Sequence, residues 1–245
     1  MNDEDGHFGE DVASVYDDWP EPMVDGTPVA DAVKVLADLA GSGRALELAI
    51  GTGRVALPLA SLGTDVAGIE LSRAMLRRLR AKPGGDSIPV EIGDMTSVRA
   101  PGPFSLVYLV FNTIQNVTTQ TGQVAVFRNA AAHLSRGGVF LVESMVPELR
   151  KLPIGSSTVV FDMSDTHIGV DEYDVANQGL VSHHFSKIGG QFEYSSGPFR
   201  YVWPSELDLM AEMAGLRLRD RWAGWDRRAF ESESRMHVSV WEKPA

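Results

Sequence analysis

Cysteine is missing from all 245 residues. Its absence excludes disulfides, thiolate metal sites and thiol nucleophiles together. No apolar run approaches the roughly 20 residues that cross a bilayer. The opening Met1-Asn-Asp-Glu-Asp5 lacks the basic and apolar blocks of a secretory leader. Basic residues are also scarce, 22 Lys and Arg against 33 Asp and Glu, for a formal charge of −11. No basic cluster stands out to neutralise phosphates, which argues against a nucleic-acid acceptor. Arg73, Arg77, Arg78, Arg80 and Lys82 gather on one segment, and a solvated helix face accounts for them. These absences fit a cytoplasmic chain that engages neither nucleic acid nor membrane. The length is enough to bury a sizeable core, and one domain with an insertion is the expectation.

What is present begins with Arg44-Ala-Leu-Glu-Leu-Ala-Ile-Gly-Thr-Gly-Arg54. Its near-continuous apolar character is that of a parallel strand buried on both faces. Gly51 and Gly53 permit a tight turn and close approach of a ligand to the backbone. Val55 to Leu62 reads as the following helix, whose first N–H groups are free for a bound molecule. The spacing Gly51-x-Gly53-x-x-Ala56, with Glu70 farther on, fits a dinucleotide fingerprint. Glu47 points elsewhere. A carboxylate inside the strand gives a pyrophosphate nothing, whereas a cofactor carrying an ammonium and a sulfonium gains from it.

With Glu47, Gly51 and Gly53 the chain resembles the class I S-adenosylmethionine (SAM) methyltransferases, whose first motif reads acid-x-x-x-Gly-x-Gly. Three later landmarks extend the resemblance. Asp65-Val-Ala-Gly-Ile-Glu70 is a short strand ending in an acid, and Ser72 caps the helix Arg73 to Ala81. Pro89 to Met95 is a third strand ending in Gly-Asp-Met, and Phe104 to Phe111 a fourth. The resemblance implies that Glu70 accepts the ribose hydroxyls, Asp94 contacts the adenine amine and Met95 packs on the ring. Tyr16, in Val15-Tyr16-Asp17, corresponds to a tyrosine near the methionine end of the cofactor. Ala49, Arg54, Leu71, Met75, Val110 and Phe111 complete the implied cofactor contacts. The small-molecule branch, with bacterial specialised-metabolism enzymes such as sugar N-methyltransferases, matches best.

The coarse pattern agrees with an α/β fold. Helical stripes fall at Asp11 to Trp19, with Val12, Val15, Tyr16 and Trp19 apolar, and at Pro28 to Ala40, opened by Thr27 and Pro28. Thr119 to Leu134 is helical, and Arg136-Gly-Gly138 ends it and launches a strand over Val139 to Glu143. From 147 to 203 short alternating runs, among them Leu180 to Phe185 and Gln191 to Tyr194, read as an antiparallel insertion. Pro204 to Ala214 returns to helix, stopped by Gly215, and strands at Leu216 to Ala223 and Met236 to Trp241 close the chain. The expected division is a helical cap at 1–43, a SAM-binding core at 44–146, a β-rich acceptor lid at 147–203 and a closing segment at 204–245. The resemblance implies a Rossmann-like, seven-stranded, mostly parallel sheet of order 3-2-1-4-5-7-6 with helices on both faces.

The resemblance implies methyl transfer from SAM, leaving S-adenosylhomocysteine, to the carbon, nitrogen or oxygen of a small acceptor. The methyl is already activated on sulfonium, so the enzyme contributes most by holding the acceptor in line. A base is needed only where the acceptor must lose a proton. His184 and His237 are the leading candidates, and Glu143 and Tyr16 complete the catalytic set. His183 and His184 are adjacent on one strand and point to opposite faces. Tyr16, Trp19, Phe111, Phe161, Tyr173, Phe185, Tyr201, Trp203, Trp222 and Trp225 fall mainly in segments expected to roof the site. Aromatic walls favour a planar aromatic or heterocyclic natural product, although at least half of these rings are expected to form local cores. The loop Asn112 to Thr118 carries no acid, so the metal site of catechol-type relatives is not expected. A catalytically silent SAM-binding protein and an NAD(P)-dependent oxidoreductase remain as alternatives, and homodimerisation is left open.

Overall fold

The computed structural model describes residues 5–18 and 29–245. Trp19, Thr27 and Pro28, expected in the first two helices, lie outside the described residues. A short helix α1 (Glu10–Val15) runs into a 3-10 turn at Tyr16–Asp18 and is followed by α2 (Val29–Ala40). Strands and helices then alternate: β1 (Arg44–Leu48), α3 (Ala56–Ser61), β2 (Asp65–Glu70), α4 (Arg73–Arg80), β3 (Val90–Ile92) and β4 (Phe104–Leu109). α5 (Gln120–His133) and β5 (Leu134–Met145) follow. Ser72 and Thr119 cap α4 and α5 by accepting the backbone N–H of Met75 and Gly122.

Four strands interrupt the alternation: β6 (Thr158–Met163), β7 (His167–Asp174), β8 (Gly179–Ile188) and β9 (Gln191–Arg200). The chain returns through α6 (Pro204–Met213), β10 (Arg217–Trp222) and β11 (Met236–Glu242). The main sheet has the order β3-β2-β1-β4-β5-β11-β10, which is the expected 3-2-1-4-5-7-6. β1 to β5 are parallel, β11 runs antiparallel to β5, and β10 antiparallel to β11. One face, with Leu46, Val107, Phe140, Val142 and Trp241, packs under α5 and α6. The other, with Ala45, Leu106, Leu141 and Val240, packs under α2 and α3. Phe127 meets Phe140 and Trp241 edge-on at 5.0 and 5.2 Å, a geometry that adds to the area these rings bury. No described helix is long and apolar enough to cross a membrane.

Two local expectations need correction. Val15 is exposed; α1 instead buries Ala13 against Ala74 and Met75 of α4. The helix before β5 ends at His133, not at the glycines. His133 Nε2 accepts the N–H of Ala100, and Leu134 already pairs with Phe104. Gly137 and Gly138 lie inside the strand, exchanging hydrogen bonds with Lys243. A Cβ on Gly138 would come within 3.1 Å of three carbonyl oxygens, so the glycine there serves close strand approach rather than helix termination.

The second sheet runs β6-β7-β8-β9, wholly antiparallel. Gly189 and Gly190, both with positive φ, form the two-residue turn between β8 and β9. One face carries Tyr173 and Leu180, which pack with Tyr201 on Leu149 and Leu152 just beyond β5. Arg200 fastens the base of this sheet to the core. Its guanidinium donates to Gln123, Gln178 and Glu206, and it is almost wholly buried. Removing it leaves the Glu206 carboxylate without its cation, and the amide oxygens of Gln123 and Gln178 without this donor. Arg200→Ala is therefore expected to cost about 3 kcal/mol in urea denaturation; a loss below about 0.5 kcal/mol would show the cluster to be no more than a surface ion pair.

Candidate cofactor site

The carboxyl ends of β1 and β4 open into a cleft with ≈ 340 Å³ of free space. Seven residues singled out from the sequence line it: Tyr16, Glu47, Ala49, Gly51, Arg54, Val110 and Phe111. Leu48, Ile50, Thr52 and Thr113 line it as well and were missed. The first three are neighbours of the motif, so the signal was there. Thr113 lies in the segment Phe111 to Gln115, which the resemblance puts at the cofactor edge, although it was not named as a contact.

Backbone strain shapes both walls. Ala49, Phe111 and Asn112 hold positive φ without being glycine, and Gly51 and Gly53 do so with them. Glu70 steadies the first wall by accepting the N–H of Gly51 at 2.6 Å and of Ser72 at 2.8 Å. Glu143, at the end of β5, steadies the second by accepting the N–H of Phe111. Asn112 Oδ1 accepts from the Met145 N–H and the Ser144 hydroxyl. Gly53 acts differently. A Cβ there would lie 2.4 Å from Leu79, so its bareness lets α4 pack on the turn.

The electrostatics centre on Glu47. Its carboxylate accepts from Tyr108 Oη at 2.9 Å and from the Ala56 N–H. Burial, helped by the Glu70 charge, outweighs these donors and pushes the Glu47 carboxyl up to about 8. Burial likewise raises Glu70 against its three backbone N–H partners. Tyr108, the hydroxyl partner of Glu47, is a residue that reading the sequence missed. It reads as one more apolar strand position, and only the β1–β4 register, Glu47 opposite Tyr108, brings it to the acid.

Arg54 lies between two rings, 4.8 Å from Tyr16 and 5.7 Å from Phe111. Its Nη2 donates to the Tyr16 carbonyl, while its buried Nη1 has no hydrogen-bond partner among the described residues. α1 and its 3-10 turn are stitched over the glycine bend. Thr52 donates to Asp17, Lys82 pairs with Asp17 at 2.8 Å, and Ser72 donates to the Phe8 carbonyl.

The remaining sequence candidates are not gathered in this cleft. Met75 is buried beneath α1, Leu71 is exposed, and Met95 belongs to the core. Asp94 is exposed beyond β3 and accepts the N–H of Thr96. His237 is fully enclosed beside Ser144, with Nδ1 on the Ser239 hydroxyl, and burial depresses it to about 3. An imidazole so enclosed has no open path to an acceptor. His184 lies on the buried face of the second sheet, His183 on the other, bonded to Tyr194. Of the aromatics, Tyr173 packs on Tyr201 and Trp225 is core, so these three form local cores.

Residues 45–138 match a family described as a methyltransferase domain. The CcbJ methyltransferase of Streptomyces caelestis superposes with a TM-score of 0.85 at 35% identity, covering 97% of this chain and 98% of that one. The chain belongs to the SAM-dependent methyltransferases. Within this family, the cypemycin N-terminal methyltransferase of a Streptomyces species is 25% identical over 203 residues, 81% of this chain and 82% of that protein. SAM-bound CalS10, an amino pentose methyltransferase from Micromonospora echinaspora, shares the fold with a TM-score of 0.64 at 20% identity, covering 89% and 92% of the two chains. The dinucleotide alternative falls with this membership.

The raised Glu47 carboxyl has a stability consequence for this methyltransferase. Folded, the group binds a proton that the unfolded chain releases above its ordinary 4.5, so stability drains away as pH rises from 4.5 to about 8. Glu47→Gln removes that cost. The ligand-free variant is expected to exceed wild type by on the order of 2 kcal/mol at pH 8, with the gap closing toward pH 5. Denaturation at both pH values reads this, and a gap independent of pH would mean the carboxyl is not protonated.

Proposed function

We propose that this enzyme methylates an amine nitrogen of a small natural product, using SAM held between β1, β4 and α1. The partnerless, buried Nη1 of Arg54 carries the placement of the donor: a guanidinium sandwiched by two rings and short of an acceptor fits a carboxylate. Glu47, buried and without a cation among the described residues, fits the ammonium of the same amino-acid moiety. Glu70 is the ribose acceptor in this reading, and Asp94 and Met95 attend the adenine. SAM supplies a methyl group already activated by positive sulfur. The chain's part is to bind, to align and to keep water out. Glu143 acts by fixing the strained backbone of Phe111, not by touching an acceptor, and α1 with Tyr16 closes the cleft.

Two observations favour an amine over the planar aromatic acceptor expected at first. The Streptomyces relative matched over 82% of its own length acts, by its name, on an N-terminus. The second sheet also turns an acid inward: Asp171 is buried, which raises its carboxyl, and Glu148, beyond β5, adds to that shift. A net charge of −11 adds attraction for a cationic acceptor. In this division residues 147–203 form the acceptor lid and 44–146 hold the cofactor.

Incubation with methyl-labelled SAM and a panel of aliphatic amines, amino sugars, phenols and indoles tests the reading. Label on amines supports it, and label confined to phenols or carbon removes the nitrogen assignment. Absence of turnover with measurable SAM affinity would favour a silent binder. Arg54→Ala and Glu70→Ala are each expected to weaken SAM binding by about 1–3 kcal/mol in calorimetry. Unchanged affinity in both would displace the cofactor from this cleft.

A further inference from the structure

A chain of hydrogen bonds crosses the second sheet and takes no part in the cofactor site. Asp162 Oδ2 lies 2.5 Å from His167 Nδ1, and His167 Nε2 lies 3.0 Å from His184 Nδ1. His184 Nε2 in turn lies 3.2 Å from the Ser182 hydroxyl. Ser182 stands directly opposite Asp171 in the β7–β8 register, and its hydroxyl donates to the Asp171 carboxylate. Two carboxylates, two imidazoles and a hydroxyl thus form one line over β6, β7 and β8. Its ends differ. Asp162 is 46% exposed, whereas Asp171 is 9% exposed on the face turned toward the end of β5.

The surrounding packing holds this line in place. Phe161 packs edge-on against His184 at 5.6 Å and flanks His167. Its ring occupies the space above Gly169, where a Cβ would lie 2.2 Å from it. A side chain at 169 would push the ring away and release both imidazoles. The tautomers close consistently: Asp162 accepts from His167 Nδ1–H, and His167 Nε2 accepts from His184 Nδ1–H. While Asp171 is ionised the Ser182 hydroxyl donates to it; once Asp171 carries a proton, Asp171 donates to the Ser182 oxygen and the hydroxyl turns to donate to His184 Nε2.

We propose that Asp171, Ser182, His184, His167 and Asp162 form a proton relay that deprotonates an ammonium acceptor under the lid and discharges to solvent at Asp162. The proposal rests on the amine reading above. An aliphatic amine reaches neutral solution protonated and has no lone pair to offer. The acceptor N–H bond breaks and its proton passes to Asp171, leaving the electron pair on nitrogen. That pair forms the new N–C bond as the donor's C–S bond breaks, and sulfur keeps the electrons of the latter. Along the relay each group gives one proton outward as it takes one from inside; Asp162 then loses a proton to water, and both imidazoles, left as the opposite tautomers, regain the starting ones by exchanging ring protons with water before the next turnover.

Other titratable groups face this line and shape its pH response. Burial raises the Asp171 carboxyl and Glu148, beyond β5, adds to this, but Glu148 is itself paired with Arg235 and Lys151. Tyr173 shares the inner face, and His183 and Glu172 pair on the outer one. None of these continues the hydrogen-bonded line.

Asp162→Asn tests the relay at its exposed end, where folding is least at stake. With the aliphatic amine that turns over fastest in the labelled-methyl panel, kcat/KM at pH 7 is expected to fall roughly 10- to 100-fold. It should recover toward wild type by about pH 9.5, where the amine is already neutral, while SAM affinity stays unchanged. Ser182→Ala should give the same pH rescue. Histidine NMR titration gives a second readout without acceptor: the His184 ring is expected to shift its pKa in Asp162→Asn, although Asp162 does not touch it. A loss equal at every pH would make the line structural, and no loss at pH 7 would remove it from turnover. Either result overturns the relay with the amine reading intact. Wild type that methylates phenols but no amine instead defeats the amine reading, and with it the proton the relay would carry.

Discussion

Glu47 is the constraint around which the cofactor cleft is arranged. A carboxylate inside a buried strand is expensive, and two hydrogen bonds from Tyr108 and Ala56 do not cover the cost. The fold tolerates it as a group poised near neutrality. In the proposed function the missing compensation comes from the ammonium of SAM, so a position that weakens the free protein becomes one that strengthens the complex. Arg54 mirrors it on the same cleft, with a cation stacked between rings and one donor unspent.

Around this pair, carboxylates serve geometry rather than chemistry. Glu70 and Glu143 sit at the tips of β2 and β5, and each receives a backbone N–H from a residue in the left-handed region. At Phe111 the charge-assisted bond offsets a conformation that costs of order 1–3 kcal/mol, while Gly51 adopts its own without strain. Both walls of the cleft are therefore held in shape by acids on neighbouring strands, and the parallel register that aligns strand tips makes this possible. α1 then ties the glycine bend to the chain's N-terminal segment through Asp17, Thr52 and Lys82.

Much of this was legible before the structure. Glu47, Gly51 and Gly53 announce a strand and a ligand turn because periodicity and glycine spacing are local signals, while the sheet order was implied by the family resemblance those residues carry. What escaped depends on contacts between distant elements. Tyr108 meets Glu47 across 61 residues, and Glu143 meets Phe111 across 32. His237 looked well placed at the start of a strand beside the active edge, but alternation along β11 turns it into the packed face with Ser239 and Trp241. The opposite surprise came from His167, which reads as a loop residue; only the β7–β8 register brings it onto His184.

The central claim is that a protonated, buried Glu47 exchanges its proton for the ammonium of SAM. Calorimetric titration with SAM at about pH 6.5–7, in buffers of differing ionisation enthalpy, reads that exchange directly. Close to one proton released per SAM bound by wild type, and none by Glu47→Gln, is the outcome required. Binding by wild type with no proton released would contradict the account.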